Sequence, residues 1–229
     1  MSKNNFGGIN GFQNNKVGSV VGYQRKGEQV YRGYRKNVAN PNTQSQQRAR
    51  GRFGTLSSFM RIMAVPVAYG YSLAVKGTVL TERNKAMKEN FAALAGSGAT
   101  PSIDYSKVKL SKGNLNMPML GRLDLNTPNN IRIPVPSGVY DTYTCEQLIL
   151  MCVAYCPSFN EILIEQANYS NAVTGASANI STPASWGGLE VYVWAYLGAF
   201  NGDIEDQTYG HIPARSVSDT VYVGSGELS

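Results

Sequence analysis

The chain has 229 residues, of which 42% are hydrophobic and only 16% charged, with 24 Gly and 14 Tyr. That length suits one sizeable domain, or one domain with an ordered arm, and is short for two full domains. The composition excludes a wholly disordered chain, a long solvated helix and a coiled coil. The formal net charge of +6 is unevenly spread: residues 1–60 carry ten basic side chains against one acid, Glu28, whereas residues 100–229 carry six basic and twelve acidic ones. A basic front half suits phosphates or an acidic protein surface, and the acidic back half does not. No apolar run approaches the length of a spanning helix, and the first eight residues lack the apolar core of a secretory leader, so no membrane partner is expected.

Residues 1–43 read as an extended, Gly- and Asn-rich basic arm. Two stretches, 17–23 and 29–34, have strand character, and Gly27 between them suits a short hairpin loop. A lone two-stranded ribbon is marginal in water, so this one is expected to be ordered by a partner, with packing on its own C-terminal domain or a disordered tail as the alternatives. Lys16, Arg25, Lys26, Arg32, Arg35 and Lys36 interleave with Tyr23, Tyr31 and Tyr34. That pattern serves phosphate contact with base stacking, and equally serves threading through an acidic protein groove. No zinc-finger, RRM or phosphate-loop motif accompanies it.

Residues 44–99 read as a short helical region. Thr43 suits an N-cap with Gln46 at the capping-box spacing. A helix from Gln44 would place Phe53, Leu56, Met60 and Met63 on one face, and Arg48, Arg50 and Arg52 on its other sides. These three arginines join the six basic residues of the arm as candidate contacts to phosphate or an acidic surface. Pro66 should stop or kink the helix. A second helix over 81–94 would align Met87, Phe91 and Leu94. Residues 67–80 are apolar without a deciding period. The breaker cluster 96–101 marks the best boundary.

Residues 100–229 read as an antiparallel β-sandwich, immunoglobulin-like or similar. Strands are expected over 105–110, 120–125, 130–135, 146–155, 161–166, 190–200 and 219–223, separated by Gly, Pro and Asn turns. Residues 191–197 are apolar or aromatic on both faces, which marks a central strand, with Trp186 and Trp194 at least partly buried. Asn201-Gly202 is the strongest hairpin-turn signal.

Three stretches carry a resemblance. The first runs from Lys16 through Val17-Gly18-Ser19-Val20-Val21-Gly22-Tyr23, Gly27, Val30 and Arg32. It continues with Asn40-Pro41-Asn42-Thr43, Gln44, Gln47-Arg48 and Arg52-Phe53. The second is Asp104-Tyr105-Ser106-Lys107-Val108 leading to Leu110-Ser111-Lys112-Gly113. The third comprises Pro183-Ala184-Ser185-Trp186, residues 190–196, Asn201-Gly202 and Ser218-Asp219-Thr220-Val221-Tyr222-Val223-Gly224. In this order the chain resembles a family of unknown function of roughly 200 residues from Bacteroidota and their phages. The resemblance implies no catalytic residue. The chain departs from the family in carrying fewer basic residues around 32–36, and in reading Tyr155-Cys156-Pro157 where members carry Tyr-Asn-Pro, which argues against a family-wide role for Cys156.

Chemistry-bearing residues are sparse. His211 is the single histidine, so no triad or His-rich metal centre can be built within one chain. Cys145, Cys152 and Cys156 are read as small buried hydrophobes, with Cys152 and Cys156 too far apart along one strand for a disulfide. Asp203, Glu205 and Asp206 lack the spacing of a calcium loop. The sequons at Asn168 and Asn179 matter only on a secretory route. No enzyme, metal or cofactor is expected. The favoured expectation is a virion structural protein (minor capsid, capsid-associated or connector-type). Its basic arm would meet other virion proteins or copies of itself, with sequence-independent DNA contact as a secondary role. The alternatives are a nucleic-acid-binding protein outside a particle and a surface adhesion module.

Overall fold

The computed structural model describes residues 16–25, 28–36, 41–117, 119–135, 147–168, 177–200 and 216–229. The chain divides into two compact units, Met1–Thr43 and Gln44–Ser229. The first contains a three-stranded antiparallel ribbon of β1 (Lys16–Val17), β2 (Val20–Arg25) and β3 (Glu28–Gly33) in the order β1-β2-β3. The single strand expected over 17–23 is broken at Gly18-Ser19. Val17 pairs with Val20 across that two-residue turn, and Gly18 takes the positive φ of 59° that such a turn requires. Among the described side chains of this unit none that is apolar is buried: Val20, Tyr23, Tyr31 and Tyr34 are all exposed.

The second unit is built on one five-stranded sheet. Its strands are β7 (Gln147–Cys156), β8 (Glu161–Asn168), β10 (Glu190–Phe200), β11 (Ser216–Val217) and β12 (Val221–Glu227), in the order β11-β10-β7-β8 with β12 also on β10. Among the described residues three helices precede it: α1 (Gln44–Ile62), α2 (Ala64–Tyr71) and α3 (Glu82–Asn90). Two small antiparallel pairs complete the unit. One joins β4 (Leu94–Ala95) to β5 (Ser102–Ile103), the other β6 (Asn130–Pro134) to β9 (Ser177–Ser181). The fold is thus mainly β, with open antiparallel sheets and a short helical segment.

Both faces of the main sheet are covered. On one, Ile149, Met151, Val153 and Tyr155 of β7 and Trp194 and Tyr196 of β10 share a core with Leu56 and Met60 of α1, Met63 between the helices and Val67 of α2. On the other, Leu150, Cys152 and Ala154 join Val193, Ala195 and Leu197 with Ile131, Ile133, Ile180 and Trp186. This double burial explains why 148–156 and 191–199 read as continuous apolar runs rather than alternating ones. It also removes the boundary suggested at 99 and 100: the helices and the strands contribute to one core and fall in one compact unit.

Several local expectations are corrected. Phe53 is 56% exposed, because side-chain burial along α1 begins only at Leu56. Phe91 is exposed because α3 ends at Asn90 and a 3₁₀ turn, Phe91–Ala93, breaks the periodicity that aligned it with Met87. Pro66 falls in the first turn of α2, after α1 has closed at Ile62, a position where its missing N–H costs nothing. Residues 105–110 do not form a strand. Asp104 accepts a 2.6 Å hydrogen bond from the Ser106 hydroxyl and pairs with Lys107 at 2.7 Å, favouring the 3₁₀ turn Tyr105–Lys107. In 120–125 only Asp124 bridges to Arg132. The last strand is shifted to Val221–Glu227 because Asp219 and Thr220 bind residues 110–113 instead. The expected turn at Asn201-Gly202 lies outside the described residues.

Candidate interaction surface

The ribbon organises the basic residues that its sequence interleaves with tyrosine. Val21 pairs with Lys16 on one side and with Arg32 on the other, so these three positions form one row across the ribbon. Tyr23 pairs with Val30, and Arg25 with Glu28. The Arg32 guanidinium carbon sits 5.9 Å from the centroid of the Tyr23 ring, a cation–π contact that holds a positive charge over an exposed aromatic face. Arg35 and Lys36 follow β3, both exposed. Val21, Arg32, Gly33, Tyr34 and Arg35 line a concavity of about 670 Å³. Lys26 lies outside the described residues.

The three arginines of α1 divide by role. Arg48 and Arg50 are exposed on its first turns. Arg52 is half-buried and donates to the carbonyl oxygens of Gly96 at 3.1 Å and Phe91 at 3.3 Å, so its guanidinium fastens α1 to the end of the helical region. Gly51 beside it permits this approach, since a Cβ there would overlap the carbonyl oxygen of Ala99.

Elsewhere in the second unit the polar chemistry is structural. Asn90 is fully buried, and its amide donates to Ala86 at 2.9 Å and Lys109 at 2.8 Å while accepting from the Lys109 N–H at 2.7 Å. The Thr220 hydroxyl accepts from the N–H groups of Leu110 at 2.8 Å and Ser111 at 2.6 Å. The Ser111 hydroxyl donates to the Ser218 carbonyl, and the Gly113 N–H donates to the Asp219 carboxylate. These bonds clasp together two segments more than a hundred residues apart, the Leu110-Ser111-Lys112-Gly113 and Ser218-Asp219-Thr220 stretches of the sequence. Composition did not reveal the clasp, because serine, aspartate and threonine read as turn residues.

Cys152 and Cys156 are buried as free thiols, and burial pushes the Cys152 thiol up to about 12, with the Glu165 carboxylate adding to the shift. Cys145, His211, Asp203, Glu205 and Asp206 lie outside the described residues. Among the described residues no group of three His, Cys, Asp or Glu is placed to hold a metal ion, and no helix is long and apolar enough to cross a membrane.

The surface of the second unit is acidic at one end of the main sheet. Glu190 of β10 and Glu227 of β12 are directly paired in register, and both are exposed. The half-buried Tyr192 lies on the same face. Its ring is 4.3 Å from that of Tyr105, and its hydroxyl is pushed up to about 12 by burial and then by Glu190.

With this geometry in view, the chain belongs to the family of unknown function DUF6266, which it matches over residues 11–209 of its 229. The match takes in the whole ribbon and most of the five-stranded sheet. No curated protein and no solved structure matches the chain.

Proposed function

We propose that this protein is a non-enzymatic assembly component, a virion structural protein of the minor capsid, capsid-associated or connector type, whose basic N-terminal unit engages other protein surfaces. One observation carries the reading. The ribbon is a compact unit of its own, yet no described apolar side chain in it is buried, while its tyrosines and Arg32, Arg35 and Lys36 are exposed. Such a ribbon has little to stabilise it internally and gains order from what it binds. Copies of the same chain supply a complementary acidic surface, since residues 100–229 carry twelve acidic against six basic side chains.

Deletion of residues 1–43 should abolish self-association in sedimentation or light scattering and exclude the protein from purified particles analysed by mass spectrometry. Undiminished assembly of the truncated chain would refute the proposal. A second reading, direct contact with nucleic acid, is favoured by the Arg32–Tyr23 stack, which suits a phosphate backbone and an unstacked base. Titration with random-sequence single- and double-stranded DNA at two salt concentrations separates the two. Micromolar binding that needs residues 1–43 and falls steeply with salt would make DNA the principal partner.

A further inference from the structure

Strand β12 forms part of one rim of the main sheet. Among the described residues its backbone ladder runs only to β10, which leaves its outer row of N–H and C=O groups unpaired. An open strand edge is a template for a further strand from another chain. This edge borders a groove of about 660 Å³ between residues 122–126 and 223–227. The strand is lean along the groove, reading Val223-Gly224-Ser225-Gly226-Glu227. Leu125 lies over Gly226, in the space that a side chain there would need, and Leu123 packs on Gly224 at contact distance.

The charge at this rim is unbalanced. Glu190 and Glu227 stand opposite one another across the β10–β12 pair, and no ion pair among the described residues reaches either. Like charges so placed weaken a strand pair unless a cation lies between them. Glu227 and Asp124 both line the groove, against Arg122 alone as a lining cation. The rings of Tyr192 and Tyr222 flank Trp194 at 6.5 Å and 6.2 Å on the face that carries Glu190, adding aromatic surface suited to arginine or lysine. A phosphate backbone would meet carboxylates here, so nucleic acid is the wrong occupant.

We infer that this groove is the docking site for the basic N-terminal unit of a second copy. A stretch of that unit adds along the free edge of β12, and its cationic side chains neutralise Glu190, Glu227 and Asp124. The inference rests on the copy-to-copy assembly proposed above and names the surface that assembly uses. Its argument is charge complementarity within one sequence: residues 1–43 hold seven basic side chains and the single acid Glu28. Main-chain pairing alone tolerates almost any sequence, and the opposed carboxylates would restrict it to a cationic strand.

The test uses the full-length chain. Equal amounts of unlabelled and ¹⁵N-labelled protein are mixed and treated with a zero-length carbodiimide, which joins carboxylates to adjacent amines. Peptides linking Lys16, Lys26 or Lys36 to Asp124, Glu190 or Glu227 should appear, about half of them pairing a labelled with an unlabelled partner, as random mixing of two copies at a paired site requires. The double variant Glu190→Gln/Glu227→Gln should self-associate at least tenfold more weakly. Its thermal midpoint should be unchanged or higher, because a repulsion has been removed, and this shows that the fold is intact. Links confined to same-label pairs would overturn docking between copies. Self-association lost on deleting residues 1–43 but unaltered in the Gln variant would overturn the groove and leave the assembly reading standing. A full-length chain that stays monomeric and yields no mixed-label links would overturn both.

Discussion

Thr220 carries more of the fold than its size suggests. Its hydroxyl accepts two backbone N–H groups and faces the Ser111 hydroxyl at 2.8 Å. Thr220→Val keeps the shape and strips the acceptor, leaving the N–H groups of Leu110 and Ser111 unsatisfied in a part-buried setting. The expected loss is about 2–4 kcal/mol in denaturant melts, since each orphaned donor costs on the order of 1–3 kcal/mol. Thr220→Ser should retain most of the stability, and an equal loss in the two variants would show that packing is what matters. Titration acts at this scale too. Burial holds the Cys152 thiol neutral up to about 12, while the unfolded chain releases that proton near its ordinary value of 9.0. Between these values the unfolded state binds fewer protons, so stability falls as pH rises. Tyr192, raised to about 12 from 10.0 by burial, acts in the same direction from pH 10 upward. Thermal midpoints should therefore decline above pH 9, and Cys152→Ala should remove the earliest part of the decline. Some of this was legible in the sequence. Trp194, flanked by Val193 and Ala195, had to lie in a core, and it is fully buried with its indole N–H donating to Tyr105 at 3.1 Å. Asn90 and Thr220 were not legible, because a satisfied buried polar side chain is the same residue type as a solvated one.

At the scale of elements, close backbone approach decides where glycine stands inside helices. Gly51 and Gly70 occupy α1 and α2, where alanine would raise helix propensity by about 1 kcal/mol. A Cβ at Gly51 would overlap the Ala99 carbonyl, and one at Gly70 the Leu110 carbonyl. Gly51→Ala and Gly70→Ala should both destabilise the protein in chemical denaturation despite the propensity gain. A stabilised Gly70→Ala would mean that α2 sits less tightly on residues 110 and 111 than described. Trp194→Ala, in the middle of β10, should cost about 3–5 kcal/mol in the same assay. Sequence legibility at this scale follows how the element is stabilised. β7 and β10 declared themselves through unbroken β-branched and aromatic runs. β9, Ser-Ala-Asn-Ile-Ser, has only Ile180 of strand character and is held in place by pairing with β6 and by burial of Ala178 and Ile180. The break of the first ribbon strand at Gly18 was hidden for the opposite reason, since the valines on either side read as one continuous strand.

For the whole molecule, stability is divided between the two units. The ribbon presents no described buried apolar side chain, whereas β7 and β10 are covered on both faces. Hydrogen exchange on the isolated protein should find the amides of β2 and β3 exchanging orders of magnitude faster than those of β7 and β10, because local opening there exposes little apolar surface. Comparable protection in both would show that the first unit is ordered without a partner. The charge division was plain in the sequence. The sharing of one core by helices and strands was not, because the Gly-Ser-Gly-Ala-Thr-Pro cluster at 96–101 looks like a linker while serving as the six-residue loop that joins β4 to β5.

The clasp between Leu110 and Thr220 spans 110 residues, and the bond from the Tyr196 hydroxyl to the Pro66 carbonyl spans 130. During synthesis the helices therefore emerge long before the strands that cover them. At about 5–20 residues per second the apolar face of Leu56, Met60 and Met63 waits roughly 6–26 s for its sheet. Throughout that interval the nascent chain presents a helical layer whose sheet-facing apolar surface is uncovered, a target for ribosome-associated chaperones. A ribosome stalled just before β10 should hold a chain that is sensitive to protease and dependent on such a holdase.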